Sequence, residues 1–344
     1  MTTRPHKPRL NNLFVLAIAW AAITLVAARR PTQVTTPPDI AGRVVVQHGP
    51  TGDDTANIQA AIDSVARTGG VVVFPAGVYR HTGLTGRANV HLKGIHVGAV
   101  RLDYTPDTGD GITLVTDPDN FMISDLMLTS SGRSTGWGIR AKGGTQRSLR
   151  IERVSVNGFT NGILLPNTLS VSIRECRIGH TYPNSPRGIG LQLGDGRKVG
   201  GNGVTVEDCY FSSLDKAIVT YVQACLVSRP IIELCHTGIE THGITSILAP
   251  WYDGTTDEAH VSVQPNTIGG GSSGTGVLLF GYGSSGWKMK YGSKAERNRS
   301  LILPERLDFK PGEDPSSPRG VTFGQVVIDR DGVVHAREFR KLPD

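Results

Sequence analysis

The chain has 344 residues with 43 Gly and 20 Pro but only 9 Phe, 4 Trp and 4 Met, a balance that favours many tight turns and a core of small aliphatics over an ordinary helical enzyme. Its net charge of +6 does not amount to a nucleic-acid footprint, because Arg4, Lys7, Arg9, Arg29 and Arg30 sit in an acid-free first thirty residues and beyond them 31 bases face 30 acids. Length alone does not force two domains, since elongated β architectures run this long as one unit.

The first element in chain order is "LFVLAIAWAAITLVAA", residues 13 to 28, uncharged and preceded by basic residues. Residues 1–30 therefore read either as a signal peptide or as an uncleaved N-terminal membrane anchor, and both place the rest of the chain in a secreted, periplasmic or cell-surface setting. Ala28 suits a cleavage point, whereas Arg29 and Arg30 directly after the run are unfavourable on the translocated side. Residues 31–43, rich in Pro and Thr, form an extended linker.

Residues 51 to 84, "TGDDTANIQAAIDSVARTGGVVVFPAGVYRHTGL", predict a helix followed by a strand. Asp53 or Asp54 can cap the helix, Ile58, Ala61, Ile62 and Val65 recur as one apolar stripe, and Gly69 and Gly70 end it before "VVVF".

Five segments then share one template: "FMISDLML" from 121, "LRIERVSV" from 149, "VSIRECRI" from 171, "VTVEDCYF" from 204 and "CLVSRPII" from 225. Positions one, three, six and eight are apolar, Pro230 excepted, as two short strands joined by a bend would require. A third strand follows, with Ile139, Ile163, Ile189, Ile218 and Ile239 as its inward residues. "HVSVQPNTIGGGSSGTGVLLF" from 260 fits as a looser sixth coil. Three short strands per turn, with a period near 21 that accepts insertions at the corners, describe a β-solenoid.

The segment "DDTANIQAAIDSVARTGGVVVFPAGVY" resembles the opening motif of the pectate-lyase-like right-handed parallel β-helix superfamily, which includes polygalacturonase-like enzymes and phage tailspike depolymerases. The resemblance implies an all-β fold, a right-handed parallel β-helix over residues 44–283. Its N-terminal capping helix would cover the open coil end, where strand edges lack partners. It further implies an exported protein that cleaves a polysaccharide, an acidic one among the candidates, as a lyase or glycoside hydrolase. A non-catalytic glycan-binding or structural β-helix is the alternative reading, and a tailspike-like depolymerase the third. A calcium ion and a trimeric assembly follow from the family likeness alone; the sequence itself points to no cofactor. The N-T-D, D-D, G-H-G and R-I-K motifs that the polygalacturonase branch carries along its coils are not found in the coil segments, with "THG" at 241–243 and "RIG" at 177–179 only partial echoes.

Candidate site residues come from outward columns of the third strand. One column reads Arg140, Leu164, Gly190, Val219 and Glu240, and two residues on a second reads Lys142, Pro166, Gln192, Tyr221 and His242. "ILAPWYDGTTDEAH" is expected to form a long corner loop carrying Trp251, Tyr252 and Asp253 to the same face. Glu240, His242 and Asp253 are the candidate catalytic residues; Gln192, Tyr221, Trp251 and Tyr252 are candidates for binding sugar, where aromatic faces meet C–H surfaces. Asp257 and Glu258 supply further carboxyls. Outward Glu152, Arg174 and Glu207 read as surface charge pairing.

The four cysteines, Cys176, Cys209, Cys225 and Cys235, match no metal spacing and point inward, best read as buried free thiols. Gly269, Gly271 and Gly274 spell GxGxxG but precede a strand, which excludes dinucleotide binding. Residues 284–344 read as linkers ending in "VTFGQVVIDRDGVVHAREF", two strands of a hairpin turning at Asp331-Gly332.

Overall fold

A computed structural model describes residues 42–49, 52–115, 117–179, 187–197, 200–253, 258–265, 276–281 and 288–292, with short strands at 301–304, 321–323, 326–328 and 334–336. The Leu13–Ala28 run, Asp257, the glycine motif at 269–274 and the turn at Asp331-Gly332 lie outside the described residues. Among the described residues, no helix is long and apolar enough to cross a membrane.

The chain winds into a parallel β-solenoid of about nine coils. First and second strands of each coil run together in one 18-stranded sheet, and nine third strands, from Leu84–Gly86 to Met289–Tyr291, form the other. The five template copies stack in the expected register: Ile123 pairs with Ile151, Ile151 with Ile173, Ile173 with Val206, and Val206 with Val227. All five are fully buried. Two coils precede them, the first built from Gly70–Phe74, Gly77–His81 and Leu84–Gly86 and the second from Val90–Gly94, Val100–Tyr104 and Ile112–Val115.

The template bend has one backbone signature. Position five is left-handed in six successive coils, with φ between 43° and 60° at Asp125, Arg153, Glu175, Asp208, Arg229 and Ala249. A left-handed L-residue costs about 1–2 kcal/mol, and here the residues partly offset it by pairing up the stack. Arg153 donates to both Asp125 oxygens, and Arg229 to both Asp208 oxygens at 2.6 and 2.7 Å. The expected pairing one position earlier is also present, with Arg174 2.7 Å from Glu207.

The helix, Thr55–Ala66, buries Ile58, Ala61, Ile62 and Val65, the stripe read from the sequence. Polar groups around the helix complete the unpaired edges of coil 1. The strand Arg43–Val45 pairs with Gly70–Phe74 on the first edge. Asp54 accepts the Arg80 N–H at 3.0 Å on the second while its own N–H donates to the Arg80 carbonyl. On the third edge, Gln59 accepts the Thr85 N–H at 2.8 Å and donates to the Thr85 carbonyl at 3.2 Å. Asp53, one residue before the N-cap Asp54, accepts the Thr55 N–H at 2.9 Å. Buried Asp54 instead ties the preceding turn down through the Gly49 N–H.

Two expectations are corrected. "ILAPWYDGTTDEAH" is not a corner loop: Ile244–Leu248, Trp251–Asp253 and Ala259–Val263 are the three strands of coil 8. Thr245 pairs with Cys225, Ile247 with Val227, and Tyr252 with Ile232. Thr245 is buried in the first apolar slot because its hydroxyl finds the Thr241 hydroxyl at 2.8 Å. The "HVSVQPN…VLLF" segment accordingly straddles two coils, giving the third strand of coil 8 and the first strand, Gly276–Gly281, of coil 9. The second correction is register: Leu191, not Ile189, stacks between Ile163 and Ile218.

All four cysteines are buried free thiols. Near the C-terminus, Val326–Ile328 and Val334–Ala336 pair antiparallel as expected, and Val321–Phe323 adds a third strand.

Candidate active site on the third-strand sheet

With the register corrected, one outward column of the third-strand sheet reads Arg140, Leu164, Gln192, Val219, Glu240 and Ser262. Gln192 thus lies in the Glu240 column, not the Tyr221 column as expected. Two residues on, the backbone ladder continues past each strand end: the N–H groups of Gly194, Tyr221, His242 and Gln264 donate to the preceding coil. These ladders place Gly194, Tyr221 and His242 on successive coils. Gly194, at φ +93°, leaves room for the phenol, because a Cβ there would lie 2.6 Å from the Tyr221 Cβ.

Glu240 is the hub. One carboxylate oxygen accepts from Lys216 Nζ at 2.8 Å and the other lies 3.1 Å from His242 Nε2. His242 Nδ1 lies 3.4 Å from the Pro265 carbonyl, and the imidazole stacks on Tyr221 with ring centroids 4.3 Å apart. Gln192 sits beside them and donates to the Gly194 carbonyl at 2.9 Å. The Glu240 side chain is only 14% exposed. Burial pushes its pKa up, but hydrogen bonds from His242 and Lys216 and their charges outweigh that and hold it at about 2. Burial likewise opposes the charge on Lys216, yet Glu240 raises its pKa on balance. Tyr221 is pushed up by burial and then by the Glu240 charge, so its hydroxyl stays protonated.

Of the seven candidate residues, the structure gathers Gln192, Tyr221, Glu240 and His242. Trp251, Tyr252 and Asp253 stand in the other sheet, as the second strand of coil 8. Tyr252 turns toward the core, its hydroxyl donating to the His260 carbonyl at 3.1 Å, and burial pushes its pKa well up. Trp251 and Asp253 face outward from that second sheet. Glu258 is exposed and ion-paired with Lys290. The functional cation that sequence reasoning passed over is Lys216. It stands at the start of the third strand, in register with Ile189 and Thr237 and two residues before the inward Ile218, so period two assigns it to the inward side, yet its Nζ emerges to reach Glu240.

Farther along the same sheet, Lys142 and Arg140 approach one oxygen of the buried Asp110 at 3.3 and 3.6 Å. Two bases on one acid leave a positive excess on this face. Among the described residues, no group of His, Cys, Asp and Glu is arranged to hold a metal ion. Lys216, Arg140 and Lys142 are cationic side chains of this sheet.

Residues 48–250 match the family model described as "Rhamnogalacturonase A/epimerase, pectate lyase-like". The mannuronan C5-epimerase AlgE2 of Azotobacter vinelandii is 32% identical over 148 residues, covering 36% of this chain and 15% of that protein. The mannuronan C5-epimerase AlgE5 of the same organism matches to the same extent. The chain thus spans about a seventh of the length of these curated relatives. Among solved structures, ORF18 of Geobacillus virus E2 superposes with a TM-score of 0.54 at 14% identity, covering 95% of this chain and 68% of that one, a likeness of fold.

Proposed function

Because the chain belongs to the rhamnogalacturonase A/epimerase, pectate lyase-like family, we propose that it is a carbohydrate-active enzyme that takes a proton from a uronate unit of an acidic polysaccharide. The observation that carries this reading is the Lys216–Glu240–His242–Tyr221 cluster, in which one carboxylate is held ionised between two bases beside a protonated phenol.

A hydrogen on carbon next to a carboxylate is removed when a base reaches it and a cation offsets the charge that builds up. His242 in its neutral form keeps its Nε2 hydrogen on Glu240 and is the proton acceptor at Nδ1. Lys216 faces the substrate carboxylate. Tyr221, kept protonated, is the donor on the other side of the reaction. If the C–O bond to the next sugar breaks and its oxygen takes the Tyr221 proton, the outcome is elimination. If a proton returns to the same carbon from the opposite face, the outcome is epimerisation, the activity named for the Azotobacter relatives. Hydrolysis would need a second carboxyl, held protonated as the acid, and Glu240, held ionised at about 2, does not supply it.

Incubation of the full-length chain with polymannuronate, polygalacturonate and neutral polysaccharides, followed at 235 nm and by reducing-end assay, tests the reading. Unsaturated product from a uronate polymer supports elimination. A rise in reducing ends without absorbance at 235 nm refutes it in favour of hydrolysis. The apolar Leu13–Ala28 segment places this activity, in our reading, outside the cytoplasm.

A further inference from the structure

The second-strand face of coils 5 to 8 carries a feature that the proposed reaction does not use. Arg177, Tyr210, Ile231 and Trp251 are register partners on four successive coils. Two residues along, Gly179, Ser212, Glu233 and Asp253 form a parallel row. All alternate with the inward Ile178, Phe211, Ile232 and Tyr252, so both rows face outward.

The first row is an exposed apolar track. Trp251 is 58% exposed and Ile231 42%. The Tyr210 ring is fixed from two sides, by the Arg177 guanidinium 5.0 Å from its centroid and by its hydroxyl bond to Glu233. The second row offers acceptors. Glu233 and Asp253 lie directly opposite each other on neighbouring strands, where like charges repel, and neither forms an ion pair with a described residue.

We propose that these two rows are a glycan-docking strip, separate from the Glu240 site, for an uncharged pyranose chain lying along the solenoid axis. Sugar C–H faces would stack on Trp251, Ile231 and Tyr210, as amphipathic aromatic platforms allow. Sugar hydroxyls would donate to Glu233, Asp253 and Ser212, which relieves the opposed carboxylates. The acidic row repels a uronate chain, so the ligand of this face differs from the substrate of the other. A protein partner fits the strip poorly, because a stable interface needs about 800 Å² per partner and the apolar track is one side chain wide.

The test is isothermal titration of the full-length chain with cellohexaose, mannohexaose and xylohexaose, with hexagalacturonate as the acidic comparator. At least one neutral hexaose should bind, and Trp251→Ala should weaken it about tenfold, the scale of losing one aromatic contact. Turnover of uronate polymer should be unaffected, so this proposal and the reading of the Glu240 site can fail independently. Binding of no neutral hexaose overturns it, as does an affinity unchanged by Trp251→Ala. Concentration-dependent self-association abolished by the same substitution would also overturn it, in favour of a protein interface.

Discussion

Replacing Glu240 by Gln keeps the shape of the side chain and removes its charge, which makes it the sharpest probe of the cluster. Gln stands in for the protonated acid. Holding the carboxyl at about 2 rather than the ordinary 4.5 corresponds to about 3 kcal/mol in favour of the ionised form. The partners are half-buried, with side-chain exposures of 30% at Lys216 and 17% at His242, so solvent screening trims the sum only in part. Glu240→Gln should therefore abolish turnover and cost about 2–3 kcal/mol at pH 7, a fall in Tm of at most about 4–10 °C. The sign follows from the direction of the shift: a depressed carboxyl contributes stability above its unfolded pKa and loses it as pH falls from about 4.5 toward 2. Thermal melts of both proteins between pH 7 and pH 3 should show the gap narrowing on the acid side, because the other carboxylates cancel in the difference. Equal Tm values at pH 7, or a gap that does not change with pH, would refute the buried-hub account of Glu240.

Three further expectations concern the fold. Ile62→Asp would bury a charge between the helix and the coil end, where Ile62 is fully enclosed, and should cost several kcal/mol; an unchanged thermal melt would remove the capping role. His81 is buried with neither ring nitrogen hydrogen-bonded, and burial holds its pKa at about 4 against nearby Asp103, Asp53 and Asp54. The unfolded chain therefore binds a proton first, so wild type should lose about 3 kcal/mol as pH falls from 6.5 to 4, and His81→Leu should lack that loss in a Tm-against-pH series. The thiols should be inert to Ellman's reagent in the native protein and react as four on denaturation, because burial pushes Cys225 to about 12 and Cys235 to about 11 and lifts Cys176 as well; rapid native reaction would contradict their inward placement.

One-sided burial writes a period into a sequence, and wherever it acts alone the fold was legible. The stripe Ile58, Ala61, Ile62 and Val65 and the stacked residues Ile123, Ile151, Ile173, Val206 and Val227 are of this kind. Coil 8 was hidden because Thr245 takes an apolar slot by hydrogen bonding and Pro250 takes another. Leu191 was missed because Ile189 lies two residues away, so both fit period two, and the insertion before them conceals the register. The left-handed corner at position five was invisible, since an outward residue there can be Asp, Arg, Glu or Ala. Glu240, and two residues on Tyr221 and His242, were legible as neighbouring columns, but Trp251 followed the misread loop to the wrong sheet. Gln59 was opaque for another reason: a side-chain amide that completes a strand edge has no sequence period at all.

The central claim is proton abstraction from a uronate unit at the Lys216–Glu240–His242–Tyr221 cluster. It is tested most directly by incubating the full-length chain with polymannuronate or polygalacturonate in D2O and reading deuterium at the carbon next to the carboxyl by NMR. Elimination leaves that carbon without hydrogen and epimerisation leaves it carrying solvent deuterium. The account predicts one of these two signatures with the wild type, and its loss in Lys216→Ala. Polymer that is cut while retaining its original hydrogen at that carbon, or a signature undiminished in the variant, would contradict it.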